Sequence, residues 1–431
     1  MSGSPSLPKQ KHFALHALVL AIASCSTAWA AEGEPEIVEV IGQAAQLERA
    51  MEAQRQSDSV ESVVHADAIG QLPDDNAAEA LQRVPGISVE RDQGEGRFAR
   101  VRGLGSDLNA VTINGTLVPA PESDRRAVAL DVLPSELVQS LTVVKTLTPD
   151  MDANSLGGTI EVASLSAFDY DELFYSLSAE GSHDANSQEN SPKASGAFAE
   201  RFSVGDGIDN LGVAAALSWQ DRDFGSDNVE TGDAWDFEEG DRLEEFEQRR
   251  YDISRERTGL GLNIDLRPDD SSEVYLRTLY SRFEDNEERQ AALFGFEDPL
   301  LPGEAGTVEG SRELKAREET QDIASVVLGG ERRFGAWIAS AQAGYSRARE
   351  KNPGGIAGAT FEAGDAFADA GFTDTRKPTP FIDDAFYDPA SFTLAEVEWE
   401  RQTTSDTERN IRVDLSHDFT WLERPSRLQF G

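Results

Sequence analysis

The chain has 431 residues, 39% of them hydrophobic and 27% charged, and a formal net charge of −40. A balance this acidic excludes nonspecific nucleic-acid binding, which needs a basic surface. No run of about 20 apolar residues offers a membrane-spanning helix; strands of a membrane barrel alternate apolar and polar residues and leave no such trace.

Residues 1–30 read as a secretory signal peptide. Lys9, Lys11 and His12 form its basic start, residues 13–24 its apolar run, and Ala28-Trp29-Ala30 its cleavage site. The competing reading is a lipoprotein, because Ile22-Ala23-Ser24-Cys25 resembles a lipobox. Cys25 is the single cysteine. Cleavage after Ala30 or Ala31 leaves a chain without disulfides, thiolate metal sites or a cysteine nucleophile. Its histidines, His65, His183 and His417, lack metal-ligand spacing, and no serine sits in a nucleophile-elbow pattern. The expectation is a protein that is not an enzyme and carries no cofactor and no metal.

Residues 31–60 form a polar leader. Its one β-branched run, Ile37-Val38-Glu39-Val40-Ile41 before Gly42, suits addition as a strand to another protein's sheet edge. The other reading is the first strand of the following domain. Residues 43–56 suit a short helix.

Residues 61–165 read as a compact α/β unit. A strand is predicted over 60–64 and a turn or helix start over 66–69. Asn76 is placed to cap a helix over 77–83, stopped by Val84-Pro85-Gly86. Residues 87–91 alternate as a strand, Gly94 and Gly96 are expected to open a loop, and residues 100–103 to end a further strand. Residues 110–113 and 116–118 flank Asn114-Gly115, the signature of a two-residue hairpin turn. A short helix over 131–136, a strand over 141–145, and a strand over 159–162 after Gly157-Gly158 complete the unit. The pairs Gly94/Gly96 and Gly103/Gly105 complete no dinucleotide fingerprint followed by a helix and read as tight turns.

From Leu173 onward the texture changes to alternating strands of about ten residues. Leu211, Val213, Ala215, Leu217 and Trp219 share one face; Gly212, Ala214, Ala216, Ser218 and Gln220 share the other. Leu260, Leu262, Ile264 and Leu266 alternate with Gly261, Asn263 and Asp265. Ile411, Val413, Leu415 and Phe419 alternate with Arg412, Asp414, Ser416 and Asp418, and residues 337–345 repeat the pattern more weakly. One face suits lipid and the other a watery lumen, and Trp219, Trp337, Tyr345 and Phe419 are expected near strand ends, as an aromatic girdle. Short connections fall near 205–210, 268–272, 334–335 and 421–426, long ones near 183–194, 221–256, 285–319 and 349–406. Strict alternation of short and long connections is the pattern of an outer-membrane barrel. A soluble sandwich or propeller has no reason to show it.

Residues 36–165 resemble the N-terminal region of TonB-dependent receptors, particularly a subgroup common in Caulobacter- and Xanthomonas-like bacteria. Glu36, Ile37, Val38, Glu39, Val40, Ile41 and Gly42 look like the TonB box. The stretch from Ile69-Gly70-Gln71-Leu72-Pro73 to Val84-Pro85-Gly86-Ile87 is similar to that subgroup's plug signature. So are the segments holding Arg97 (Gly94-Glu95-Gly96-Arg97-Phe98), Arg102 and Gly103 (Val101-Arg102-Gly103-Leu104-Gly105), and Asn114 and Gly115 (Val111-Thr112-Ile113-Asn114-Gly115). Gly157 and Gly158, in Leu156-Gly157-Gly158-Thr159-Ile160, match the closing motif. Glu161 departs from it, since the family usually has Asn there.

The resemblance implies an α/β plug domain (61–165) followed by antiparallel strands of a transmembrane β-barrel (170–431). Plugged barrels of this kind have about 22 strands. This chain supplies about nine, and a barrel in lipid must close. The expectation is therefore an incomplete barrel, the N-terminal portion of a receptor. Also implied are residence in the Gram-negative outer membrane, in contact with its lipid, and active uptake with no cofactor and no chemistry on the ligand. The ligand is a small molecule such as an oligosaccharide or a metal chelate (a siderophore or cobalamin), bound by external loops and plug apices. TonB, worked by its inner-membrane motor proteins, adds a strand to residues 36–42 and pulls. The subgroup's link with carbohydrates, and acidic loops that suit anionic chelates poorly, favour an oligosaccharide. The alternative of another class is an acidic, cation-binding surface adhesin. Residues 221–256 hold fourteen acidic and five basic residues, though without EF-hand spacing.

Overall fold

The computed structural model describes residues 50–65, 76–123, 125–149, 151–238 and 240–431. The expected signal peptide, the segment 36–42 and residues 66–75 of the plug signature lie outside them. Residues 50–56 are helical.

The first sheet is built from β1 (Glu61–His65), β4 (Asn109–Ile113), β5 (Thr116–Leu117), β6 (Val138–Val144) and β7 (Gly158–Ser164). Its spatial order is β1-β6-β7-β4-β5, with only β4 and β7 parallel. Beside it stand the hairpin of β2 (Ile87–Asp92) and β3 (Glu95–Val101) and the helix α1 (Ala77–Leu81). Asn76 caps α1 by accepting the Glu79 N–H at 3.0 Å, as its side chain suits. The helix stops at Leu81, two residues short of expectation, because Gln82 N–H turns back to the Glu79 carbonyl.

Two sequence expectations for this unit need correction. The turn between β2 and β3 lies at Gln93 and Gly94, both at positive φ (49° and 89°), and Glu95 already begins β3. Gly94 therefore sits in a tight turn, as read, while Gly96 lies within β3 and no loop longer than that turn opens there. The helix expected over 131–136 is two 3-10 turns, Leu130–Val132 and Ser135–Leu137. Pro134 stands between them and has no N–H to continue a helix.

The second sheet is a meander of β8 (Phe174–His183), β9 (Asn190–Phe202), β10 (Leu211–Glu230), β12 (Arg242–Asp269), β13 (Ser272–Leu300), β14 (Ala305–Phe334), β15 (Trp337–Ala363), β18 (Phe392–Trp421) and β19 (Arg424–Phe430). The short strands β11 (Trp235–Asp236), β16 (Phe367–Thr373) and β17 (Thr379–Phe381) attach at its margin. Each strand of the meander pairs antiparallel with the next.

The strands are far longer than the alternation predicts. β10, β12, β13, β14, β15 and β18 run for 20 to 30 residues. The long connections expected over 221–256, 285–319 and 349–406 are mostly paired backbone, reduced to residues 231–241, 301–304 and 364–391. The one expected over 183–194 is residues 184–189. Ladder hydrogen bonds need no apolar alternation, so a hairpin with water on both faces continues through charged sequence.

The alternation itself reads correctly, with polarity inverted relative to a soluble protein. Leu260 is 50% exposed and Ile411 83%, while Asn263 and Ser218, each 2% exposed, are buried against the first unit. Trp337 opens β15 and Phe419 lies two residues from the end of β18, as expected. Trp219 and Tyr345 instead lie inside long strands. Trp337 and Tyr345 are about 26 Å apart along one strand, matching the height of a barrel's apolar band. Among the described residues no helix is long and apolar enough to cross a membrane.

Candidate functional site at the plug–wall junction

The first unit packs its apolar core directly onto the meander. Leu81, Val101, Ile113, Leu133 and Val162 share one cluster with Leu279, Phe283 and Ile323 of β13 and β14. The inward faces of β12, β13 and β14 supply polar groups around that contact. The result is a wall carrying hydrogen-bonding and charged side chains, against which the plug is seated.

Glu95, first residue of β3, is the centre of one charged cluster. Its carboxylate accepts from Arg255 Nη1 at 2.7 Å and also from Arg257 and Arg222. Arg255 Nε reaches Asp285 at 3.1 Å and its Nη2 reaches Gln93 at 2.6 Å. Arg257 Nε donates to the Asp131 carbonyl at 3.0 Å. Burial alone would raise the Glu95 carboxyl, but Arg257, Arg255 and Arg222 outweigh it and hold it well below the usual carboxylate range.

Arg97, two residues on and on the same face of β3, answers with the opposite sign. It bonds Glu122 of the plug and lies 3.1 Å from Asp92, 3.9 Å from Asp131 and 3.6 Å from Glu319 on the wall. Burial of the guanidinium works against its charge, but Asp131, Glu122 and Asp92 raise its pKa above the ordinary value. Burial pushes the Asp131 carboxyl up, with Arg97, Arg257 and Arg255 opposing. Arg317 bridges the halves, 3.3 Å from both Asp285 and Glu319. Glu95 and Arg97 are thus two ends of one buried ionic network.

The hairpin Asn114-Gly115 supplies a second junction. Both residues have positive φ, 50° and 77°, as the mirror-image turn requires. Asn114 Nδ2 donates to Ser164 Oγ at 2.9 Å, and Asn263 of the wall donates to the same oxygen at 2.7 Å. Gly115 N–H donates to Glu161 at 2.9 Å, so the residue that departs from the family motif holds the turn. Gln342 Nε2 reaches Thr116 Oγ1 at 3.3 Å. Arg102, at φ 55°, donates to the Gly157 carbonyl at 2.7 Å, and Gly103 completes the turn after β3. A Cβ on Gly157 would overlap the Asn109 side chain, and one on Gly158 would stand 2.7 Å from the Val144 carbonyl oxygen.

The motif residues Arg97, Arg102, Gly103, Asn114, Gly115, Gly157 and Gly158 therefore fall into two groups. Arg97, Asn114 and Gly115 approach the wall; Arg102, Gly103, Gly157 and Gly158 pack the plug itself. Sequence reasoning missed Glu95, Arg255 and Arg257. Their one signal was the spacing of two between the arginines, which puts both on the polar face with Asn263 and Asp265. Further along the wall, a cleft of about 410 Å3 opens between the plug and β18, lined by Glu122, Ser123, Arg125, Thr404, Asp406 and Glu408 among others. Among the described residues no group of His, Cys, Asp and Glu is placed to hold a metal.

An α/β domain seated by polar and ionic contacts on the inward face of an antiparallel, outwardly apolar meander defines a plug-and-barrel protein. Residues 53–159 match the TonB-dependent Receptor Plug Domain, so this part of the chain is a plug domain of that kind. No curated protein matches the sequence. Among solved structures the chain is similar to the ferric enterobactin receptor of Pseudomonas aeruginosa (12% identity, TM-score 0.42, covering 86% of this chain and 61% of that one). It is also similar to the ferripyoverdine receptor of the same organism (14%, 0.39, 87% and 52%) and to the outer membrane transporter YddB of Escherichia coli (11%, 0.35, 85% and 56%). The chain thus spans between about half and three-fifths of the length of these structures.

Proposed function

We propose that this receptor sits in the outer membrane and takes up a scarce small ligand, an oligosaccharide in preference to a ferric siderophore or cobalamin, with energy delivered by TonB. The observation that carries the reading is the seat of the plug. Its β2–β3 end is held to the wall by a compact set of ion pairs around Glu95 and Arg97, contacts that a displacing force can exchange for water. In this reading the ligand meets the cleft beside Glu122, Ser123 and Arg125 and shifts the plug between two states. The leader is then offered to TonB, which pairs with residues 36–42 and pulls. Arg102, Gly103, Gly157 and Gly158 keep the plug rigid while Arg97, Asn114 and Gly115 carry its contacts.

The net charge of −40 supports a neutral or weakly charged ligand over a polyanionic chelate. The test is growth of a strain lacking this gene on oligosaccharides as sole carbon source at limiting concentration, and separately under iron limitation. The wild-type gene should restore growth on an oligosaccharide, and a Val38→Pro version should not, because proline removes the backbone donor an added strand needs. Rescue by Val38→Pro would put the coupling segment elsewhere. A defect seen only under iron limitation would replace the oligosaccharide by a siderophore.

A further inference from the structure

A second recognition site lies on the other face of the wall. Alternation along β13 puts Phe283, which packs on the plug, and Ala292 on opposite faces. Arg312 pairs directly with Ala292, and Ala292 with Gln248, so these three share the face turned away from the plug. They border a cavity of about 990 Å3, roofed by residues of the 364–391 connection and the start of β18. It lies twelve residues beyond Tyr280, about 40 Å along the strand, past the apolar band marked by Trp337 and Tyr345. The volume is at the upper end of small-ligand pockets, about 300–1,000 Å3, with room for several rings.

The electrostatics of this cavity differ from those of the chain around it. Its lining holds four cations, Arg249, Arg250, Arg312 and Lys377, against three carboxylates, Asp227, Glu288 and Glu313, in a protein whose net charge is −40. Arg249 is bound to Glu230 and Glu247, and Glu313 to Arg289. Arg312 has no carboxylate partner among the described residues. Its guanidinium is half-buried, donates to the Phe386 carbonyl at 2.8 Å, and lies 4.3 Å from the Phe386 ring, 5.3 Å from that of Phe392 and 5.9 Å from that of Tyr387. Burial lowers its pKa, as it does for a cation with no anion beside it. Tyr387 and Phe361 also line the cavity, with the amides Asn228, Gln248 and Gln290.

We propose that this outward cavity is a capture site for acidic oligosaccharides, with Arg312 and Lys377 receiving a sugar carboxylate, Tyr387 and Phe361 the ring faces, and the lining amides the hydroxyls. Arg312 and Lys377, the two lining cations with no carboxylate partner among the described residues, suit carboxylates spaced one per ring. A compact polyanion, such as a phosphate cluster or a tris-catecholate, would meet the three lining carboxylates. The site stands or falls separately from the uptake reading, whose neutral or weakly charged ligand is a different one.

The experiment titrates the full chain, purified in detergent micelles, with trigalacturonate and with neutral maltotriose. Trigalacturonate should bind and weaken with added salt. Arg312→Ala and Lys377→Ala should each lower its affinity, Arg312→Ala by about tenfold or more, and by more than either lowers the weaker maltotriose binding. Lys377 is exposed, so its substitution reads recognition without threatening the fold. The proposal is overturned if trigalacturonate fails to bind at millimolar concentration, binds no better than maltotriose, or binds Lys377→Ala and Arg312→Ala as it binds the wild type.

Discussion

Glu95 of the plug and Arg255 of the wall meet at 2.7 Å, and both side chains are almost wholly withdrawn from solvent (5% and 1% exposed). Residues 160 positions apart in sequence thus share a charge contact away from solvent. Glu95 is the shared anion of three guanidiniums, so its loss strands more charge than the loss of any one arginine.

Glu95→Gln should therefore cost about 3 kcal/mol or more, the usual penalty for removing one partner of a buried pair. Arg222→Ala should cost less, since that side chain is 31% exposed and water replaces its contact. Chemical denaturation of the full chain in micelles, followed by limited proteolysis of the plug, measures both. Equal stability of Glu95→Gln and wild type would show that the network contributes nothing net.

The same pair sets a pH dependence. The folded pKa of Glu95 lies below its ordinary 4.5. A depressed carboxylate contributes stability that is fully present above the unfolded value and is lost as pH falls toward the folded one. The junction should hold from neutrality down to about pH 5 and loosen below about pH 4.5, an acid sensitivity that Glu95→Gln removes. Asp131 has the opposite sign. Burial raises its carboxyl, so its charged form costs stability above that raised value, and acidification relieves the cost. Asp131→Asn should leave neutral-pH stability unchanged or slightly higher, since Oδ1 has no hydrogen-bond partner. Thermal melting across pH separates the two groups.

Gly158→Ala tests the closing motif. The added Cβ would stand 2.7 Å from the Val144 carbonyl oxygen, a backbone atom held in the β6–β7 ladder. The strands must part or shift, at about 1–3 kcal/mol. Gly115→Ala meets only the end of the flexible Gln342 side chain, 3.2 Å away, but strains a φ of 77°, at about 1 kcal/mol or more. Both should lower the melting temperature, with Gly158→Ala the more severe; the reverse order would place the constraint in the turn.

Orientation follows from one connection, because strand direction alternates. Asp233→Cys, in the 231–241 connection, should react with a membrane-impermeant thiol reagent on intact cells. Asp270→Cys, in the two-residue turn between β12 and β13, should react only after the outer membrane is opened. Cleavage of the expected signal peptide removes Cys25, so neither signal has a background thiol. Labelling of Asp270→Cys alone on intact cells would invert the receptor.

Sequence alone carried what local chemistry dictates. Asn76 announced a helix cap because its short side chain reaches the N–H of Glu79. Asn114-Gly115 announced a mirror-image turn because few residues accept positive φ twice in succession. The alternation of Leu260 and Leu262 with Asn263 and Asp265 announced a two-faced strand, since side chains point alternately to either side. Only the tertiary structure decided which face is buried, because the answer depends on whether lipid or a plug lies opposite. It also decided where the strands end. Charged hairpins such as residues 285–319 look like loops in sequence, yet their backbones pair through residue 300 and from residue 305 onward, and backbone pairing leaves no mark on side-chain pattern. The network of Glu95, Arg255, Arg257 and Arg97 was illegible for the same reason. Two arginines spaced by two show that a polar face exists, but their anion comes from the start of β3 some 160 residues earlier, brought there by the packing of Val101 and Leu133 on Phe283.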